Sequence, residues 1–427
     1  MKILLSAFSC EPGRGSEPGK SWNWAYELAR AGNEVWVLTS SNGKAAIEAF
    51  LAATPVPGLN FVYLARTELP AFIEPFRGLL QHLRWQRQAV AIARDLDRKN
   101  DFDVVHHVSY GSLHLGSHLW KLGKPFVFGP VGGGQVAPSG FRRYFRGGWL
   151  AELLRSFVVR YFTGILFSAK STVANSDLVL VVNQETRDWV DRLGGKRVEY
   201  MSTGGIPSAL LADPSTRRRD DPDCLKILWV GRLLPRKAVL LALEALARID
   251  RGIRFHCTIL GDGKQGRYLP AWIESLGLSD RVEWRGHVSW KEAMDAYRHN
   301  DVFLFTTLRE TEGLQLLEAM AGGAAIVTLD HHGPRVAVPE VAGIKVPVTT
   351  PEETVAGLTR ALEKLARDPD TVAAMSLAGI RWAGENTWAK KVRRAIELYP
   401  AAIAANEGAS RKGIAGTGGR PVPTAAK

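Results

Sequence analysis

Two cations five residues apart, Arg232 and Lys237, follow the apolar run Lys226–Gly231 and open an amphipathic segment reaching about Ile249. A strand that delivers them into a strand-to-helix loop sets them against both phosphates of a diphosphate, and neutralising a departing diphosphate is where electrostatic stabilisation yields most. A solvated basic loop is the competing use. Further on, Glu310 and Glu318 flank Gly313 at the start of a predicted helix over Leu314–Ala321. Carboxylates accept hydrogen bonds from sugar or ribose hydroxyls, and Gly313 would open the helix N-terminus to an anion. Glu312 reads as a charge favouring that N-terminus. Near the start, Gly13, Gly15 and Gly19 form a loop before a helix expected over Gly19–Ala31. Such a loop lets backbone amides approach a phosphate, or is simply a tight turn. Its spacing misses the dinucleotide pattern by one residue, and the second strand ends Val37–Asn42 without the acidic residue that holds an adenosine ribose, which argues against a nicotinamide enzyme.

Other groups invite metal chemistry. His114 and His118 lie four apart on an expected helix, a zinc-compatible spacing, yet no third ligand fits. Asp101 with Asp103, and Asp221 with Asp223, have metal-binding D-x-D form but precede a strand and sit in a linker. No metal and no cofactor are expected. His106 and His107 end the strand DVVHHV; neighbouring strand residues face opposite ways, so one of the two can point to a cleft.

These residues need a scaffold of strand ends. Apolar runs followed by helical patterns recur, as β-α units around a parallel sheet do. KILLSAF, EVWVLTS, FVYLA, DVVHHV, PFVFGP and LVLVVN read as strands of a first domain over 1–212. KILWVG, HCTILG, VEWRG, DVFLFTT and AAIVTLD repeat the plan over 224–380. Residues 213–223 are rich in Pro and charge and read as a linker. A helix over 381–403 is expected to cross back to the first domain, and 404–427 to be a disordered tail. Ligands bind at the carboxyl edges of open parallel sheets, so function belongs to the loops between two facing domains.

Composition narrows the classes. The chain has 427 residues, 46% hydrophobic and 23% charged, which excludes disordered, collagenous and membrane-embedded types. Three cysteines form no scaffold and fit a reducing compartment. MKILLSAFSC reads as a buried first strand rather than a signal peptide. The formal charge of +12 points to an anionic partner. Residues 140–170 carry six basic residues against Glu152, interleaved with Trp149, Leu150, Leu153, Leu154, Phe157 and Val158 in helical order. That order suits an anionic membrane surface better than nucleic acid; a core helix with solvated arginines competes with it.

GRLLPRK (231–237), LGDG (260–263), RGHVS (285–289) and ETEGLQLLEAMAGG (310–323), with KILLSAF, DVVHHV and PFVFGPVGG before them, resemble the family 4 glycosyltransferases in order and spacing. EPGRGSEPG with SWNWA is similar to a bacterial subgroup linked to exopolysaccharide assembly. The resemblance implies an α/β GT-B fold, two Rossmann-like domains around a cleft. It further implies retaining transfer from a UDP- or GDP-sugar to a hydroxyl acceptor. The displaced D-x-D elements make that transfer metal-independent, and the basic, apolar stretch 141–170 points to a lipid-linked or saccharide acceptor, in the cytoplasm or at the inner membrane face. Alternatives are a sugar-nucleotide epimerase of the same fold and a non-enzymatic protein of anionic membranes. By the same resemblance Arg232 and Lys237 bind the diphosphate, and Glu318 the ribose. Glu310 contacts the transferred sugar, while Gly15 and Ser16 close over the phosphates. The amides of Gly313 and Leu314 add donors, and the backbone near His287 holds the base. The family places a histidine in the cleft near the end of DVVHH, with His107 favoured over His106. Ala238 stands where the family has Gly, Glu312 where an aromatic is common, and MSTGGIP (201–207) replaces the usual hinge sequence.

Overall fold

The computed structural model describes residues 1–65, 77–166, 168–214, 221 and 223–416. Among them the first half forms a parallel sheet of β1 (Lys2–Ala7), β2 (Glu34–Ser40), β3 (Leu59–Leu64), β4 (Val104–Ser109), β5 (Phe126–Val131), β6 (Leu178–Val181) and β7 (Val198–Tyr200), ordered β3-β2-β1-β4-β5-β6-β7. Its helices are α1 (Ser16–Arg30), α2 (Lys44–Ala53), α3 (Arg77–Asn100), α4 (Trp149–Leu166), α5 (Ala169–Ala174) and α6 (Gln184–Arg192). The second half holds β8 (Cys224–Val230), β9 (Arg254–Leu260), β10 (Val282–Trp284), β11 (Val302–Phe305), β12 (Ala325–Asp330) and β13 (Gly343–Pro347), ordered β10-β9-β8-β11-β12-β13. With it come α7 (Val239–Ala247), α8 (Leu269–Ser275), α9 (Trp290–Arg298), α10 (Leu314–Ala321), α11 (His332–Ala337), α12 (Pro351–Arg367), α13 (Pro369–Glu385) and α14 (Trp388–Gly416).

Each sheet is apolar on both faces because helices cover both, the reason its strands read as continuous hydrophobic runs. β4 is buried throughout. One layer of the first core packs Ile3, Leu5 and Val104 against Trp24 of α1 and Trp388, Val392 and Tyr399 of α14. The other packs Leu4, Val105 and Phe128 against Trp85 and Ala93 of α3. The halves also exchange material. Phe141, Tyr144 and Phe145, from before α4, lie in the core of the second sheet, while α14 belongs to the first.

Several expectations change. α1 begins at Ser16 rather than Gly19, since Pro18 is tolerated in a first turn where its missing N–H has no partner to lose. His114 and His118 lie outside any helix; Gly116 between them has φ 60°, which a right-handed helix cannot contain. The expected helix over 381–403 is two helices, broken at Asn386–Thr387. Residues 404–416 of the expected tail continue α14. Residues 215–220 and 222 of the expected linker and 417–427 of the tail lie outside the described residues. Among the described residues, no helix is long and apolar enough to cross a membrane.

Candidate active site between the two sheets

The loops after β8, β10 and β11 face those after β1, β5 and β6. β8 ends beside β9 and β11, so Arg232 and the turn at Pro235–Lys237 lie next to the loop that carries Glu310. Lys237 is buried and its Nζ donates to Glu310 Oε2 at 2.6 Å and to Gln315 Oε1 at 3.3 Å. It also sits 4.8 Å from the Phe305 ring centroid. Arg236 donates to the same carboxylate oxygen at 3.2 Å. Burial works against ionisation of Glu310, but the two cations outweigh it and hold the carboxyl down at about 2. Burial likewise lowers the Lys237 ammonium, opposed by Glu310. Arg232 is exposed at the cleft mouth, and among the described residues its guanidinium has no ionic partner. The structure thus joins Lys237 to Glu310 and leaves Arg232 available to an incoming anion.

Gly313 takes φ 85°, which a Cβ would resist, and starts α10 with no side-chain cap. Its amide and that of Leu314 are among those a helix N-terminus leaves without intrahelical partners. One turn in, Glu318 is buried and accepts one hydrogen bond among the described residues, from Trp290 Nε1 at 3.0 Å. Burial raises its pKa, against the pull of Trp290 and Lys20. A buried carboxylate so sparsely bonded has acceptor capacity left for hydroxyl donors.

Gly15 and Ser16 bring the first domain to this point. A Cβ on Gly15 would lie 3.5 Å from Trp290 Cδ1, so the loop touches the indole that holds Glu318. Ser16, at φ 59°, and Ala238, at φ 49°, are both left-handed at helix starts bordering the cleft. The latter explains why Gly is usual there. His287 is exposed on the loop joining β10 to α9. Arg236, Gln315 and Trp290 were not singled out from sequence. A signal for Trp290 existed: Ser289 and Glu292 form a reciprocal capping box that fixes it as the first residue of α9.

The histidines depart from expectation. His106 donates through Nε2 to the Gly129 carbonyl at 2.7 Å and accepts at Nδ1 from the Tyr399 hydroxyl at 2.9 Å. His107 donates through Nε2 to the Tyr110 carbonyl at 3.3 Å and accepts from Ser6 Oγ at 2.9 Å. Both are fully buried, and burial lowers them to about 4 and about 3. They do face opposite ways, but each way ends in a helix layer, so neither offers a free nitrogen to the cleft. Glu312 also differs: it crosses the cleft to accept from the Thr203 amide at 2.7 Å and hydroxyl at 2.5 Å. Lys20 of α1 donates to that hydroxyl at 2.7 Å. Asn183 Nδ2 donates to the Thr311 carbonyl at 2.6 Å, and Glu152 of α4 pairs with Arg309 at 2.8 Å. These contacts hold the halves together around Glu310. Asp101 pairs with Lys124, and Asp221 and Asp223 with Arg254, away from the cleft. Among the described residues no three His, Cys, Asp or Glu side chains converge as metal ligands do.

Comparison with known proteins agrees with this architecture. Residues 22–204 match the family described as glycosyltransferase family 4, and 217–379 that described as glycosyl transferases group 1. A D-inositol 3-phosphate glycosyltransferase of Saccharomonospora viridis is 30% identical over 44% of this chain and 45% of its own length, so the match spans about half of that relative. WcaL of Salmonella typhimurium, named as a colanic acid biosynthesis glycosyltransferase, is 26% identical over 69% of this chain and 76% of its own. The structure of Anabaena Alr3699/HepE in complex with UDP and glucose superposes with a TM-score of 0.60 at 16% identity, covering 94% of this chain and all of that one. With both halves matched and two facing parallel sheets, the chain belongs to the family 4 glycosyltransferases and has the GT-B fold.

Proposed function

We propose that the protein moves a glycosyl group from a nucleotide sugar to a hydroxyl acceptor with retention at the anomeric carbon. The observation that carries this is the pair on α10 and its preceding loop: Glu310 held ionised by Lys237 and Arg236, and Glu318 buried with acceptor capacity unfilled. Arg232 and Lys237 take the diphosphate, the α10 amides add donors, Glu318 receives ribose hydroxyls, and the His287 loop lies where a base would rest. The anomeric C–O bond to the β-phosphate breaks while the acceptor oxygen bonds the same face, and the acceptor proton leaves on the departing phosphate oxygen. Positioning and charge stabilisation supply the rate, with no protein nucleophile. Glu310, engaged by two cations, orients the sugar.

The naming of WcaL for colanic acid biosynthesis, and UDP with glucose in the HepE complex, support a UDP-sugar donor and a role in surface polysaccharide assembly. The acceptor is lipid-linked or a saccharide at the inner face of the membrane. Leu150, Leu153, Leu154, Phe157 and Tyr161 share one face of α4 and are exposed, Leu150 by 77% and Leu154 by 65%. Exposed Arg142 and Arg160 lie near it in sequence, as an anionic surface requires.

Thermal shift across UDP-, GDP- and ADP-sugars tests the donor, since ligand at 100 times its Kd stabilises by about 2.7 kcal/mol. Arg232→Ala, an exposed change, should weaken nucleotide-diphosphate binding by about 1.5–3 kcal/mol, and transfer should survive EDTA. Unaltered nucleotide binding in that variant, or EDTA inhibition reversed by manganese, would refute the reading.

A further inference from the structure

Adjoining the donor loops, and sharing Gly313 and Leu314 of the α10 N-terminus with them, lies a cavity of about 340 Å³, within the ~300–1,000 Å³ range of small-molecule pockets. It opens where the chain twice crosses between the domains, at Tyr200–Ser202 and at Glu385–Asn386, with Leu314 and Leu317 of α10 on its apolar side. A shallower groove continues from it, sharing Trp382, Glu385 and Lys390. None of Arg232, Lys237, Glu310 or Glu318 lines either.

Its chemistry is of one kind. Lys390, Lys391 and Arg394 come from the first two turns of α14. Lys391 is buried and donates to the carbonyl and hydroxyl of Ser202, which places its amine at the wall, while burial lowers it to about 8. Lys390 donates to Glu385 at 2.8 Å at the surface. Arg394 is exposed and, among the described residues, has no carboxylate partner. Of the two lining carboxylates, Glu312 is already engaged by Thr203. Three cations against two carboxylates leave the lining a formal excess of one positive charge, carried at the surface by Arg394 and reinforced by the N-terminal end of α14. Two large rings stand at its edge, Tyr200 exposed by 41% and Trp382 by 38%. The Arg187 guanidinium lies over the Tyr200 ring, 5.3 Å from its centroid. Aromatic faces give a sugar ring's C–H surface a flat apolar contact, while guanidinium and ammonium groups bind an anionic substituent by charge-assisted hydrogen bonds.

We propose that this cavity binds an acidic saccharide unit, its ring against Trp382 and its carboxylate or phosphate on Arg394 and Lys390. As a role, this names the acceptor class for the transfer proposed above and rests on that reading; the binding itself does not.

Calorimetry on the full chain at low salt, with trigalacturonate, maltotriose and inorganic phosphate as probes, tests it. Trigalacturonate should bind at least tenfold more tightly than maltotriose. The double variant Lys390→Ala/Arg394→Ala should lose at least tenfold in trigalacturonate affinity, and Trp382→Ala several-fold, with UDP binding unchanged in both. Equal affinity for the acidic and neutral trisaccharides, an unaltered double variant, or displacement by an equal concentration of inorganic phosphate would overturn the proposal. Wild-type chain that takes trigalacturonate but not UDP would uphold the cavity and overturn the donor reading instead.

Discussion

Glu310 and Lys237 are bound to one another before any substrate arrives, and this decides what each does. The folded pKa of Glu310, about 2, lies below its ordinary 4.5. Its pairing thus stabilises the fold above that ordinary value and is lost as pH falls toward 2. Glu310→Ala leaves the Lys237 ammonium buried without its carboxylate, a change costing about 3–5 kcal/mol; Glu310→Gln keeps an acceptor for Lys237 and should melt much closer to wild type. Both should lower kcat, and a Gln variant with wild-type turnover would remove Glu310 from the chemistry. Trp290→Phe keeps a ring beside Gly15 but deletes the hydrogen bond to Glu318, worth about 1 kcal/mol. Donor KM should rise about fivefold with kcat little changed. Equal KM values would show that the indole does not position Glu318. The placement of Glu310, Glu318 and Lys237 on loops and a helix start beside one another was legible, because it follows from a local strand-loop-helix spacing. Arg236 and Trp290 were not, since what matters is which distant carboxylate each reaches. The two histidines misled for a related reason: alternation fixes which way a side chain points, not what covers that side.

At the scale of elements, α4 and the loop after β5 matter most. The basic stretch before α4 does not all face solvent. Arg143 pairs with Glu244 and Glu352, and Arg146 stacks on Tyr268 at 4.1 Å, both in the second half. Reversing these charges would disturb the domain contact, so the membrane reading is better tested on the apolar face. Leu153→Glu with Leu154→Glu should abolish flotation with anionic vesicles while shifting stability by no more than about 0.5 kcal/mol per exposed site. Retained flotation would eliminate α4 as the contact. Gly132 approaches the second domain so closely that a Cβ would fall 1.9 Å from Thr311 Cγ2. Gly132→Val should hold the halves apart, visible as a larger radius of gyration in solution scattering and a fall in kcat; an unchanged radius would show that the loop simply yields. Most strands could be read as apolar runs. β7 and β13 could not, being short edge segments of three and five residues with mixed burial.

Across the whole molecule, the first half carries three fully buried histidines, His82, His106 and His107, and the half-buried His114, all lowered by desolvation to between about 3 and about 4. Their folded values lie below the ordinary 6.5. On acidification through 6.5 the unfolded chain takes up protons that the folded one refuses, and stability falls. At pH 5 the loss is about 2 kcal/mol for each. In the second half His331 alone is lowered to such a value among the described residues. Hydrogen exchange at pH 5 should therefore show the first sheet opening before the second; the reverse order would contradict these protonation states. The exchange of segments between the halves has a further consequence during biosynthesis. Phe141, Tyr144 and Phe145 have left the ribosome long before the second domain needs them. Trp388, Val392 and Tyr399, which the first core needs, emerge roughly 10–35 s after residue 212 at about 5–20 residues per second. One core layer of the domain translated first is completed only by α14, the last helix among the described residues, so a nascent chain stalled before residue 388 leaves that layer of its amino-terminal half open to proteases and chaperones.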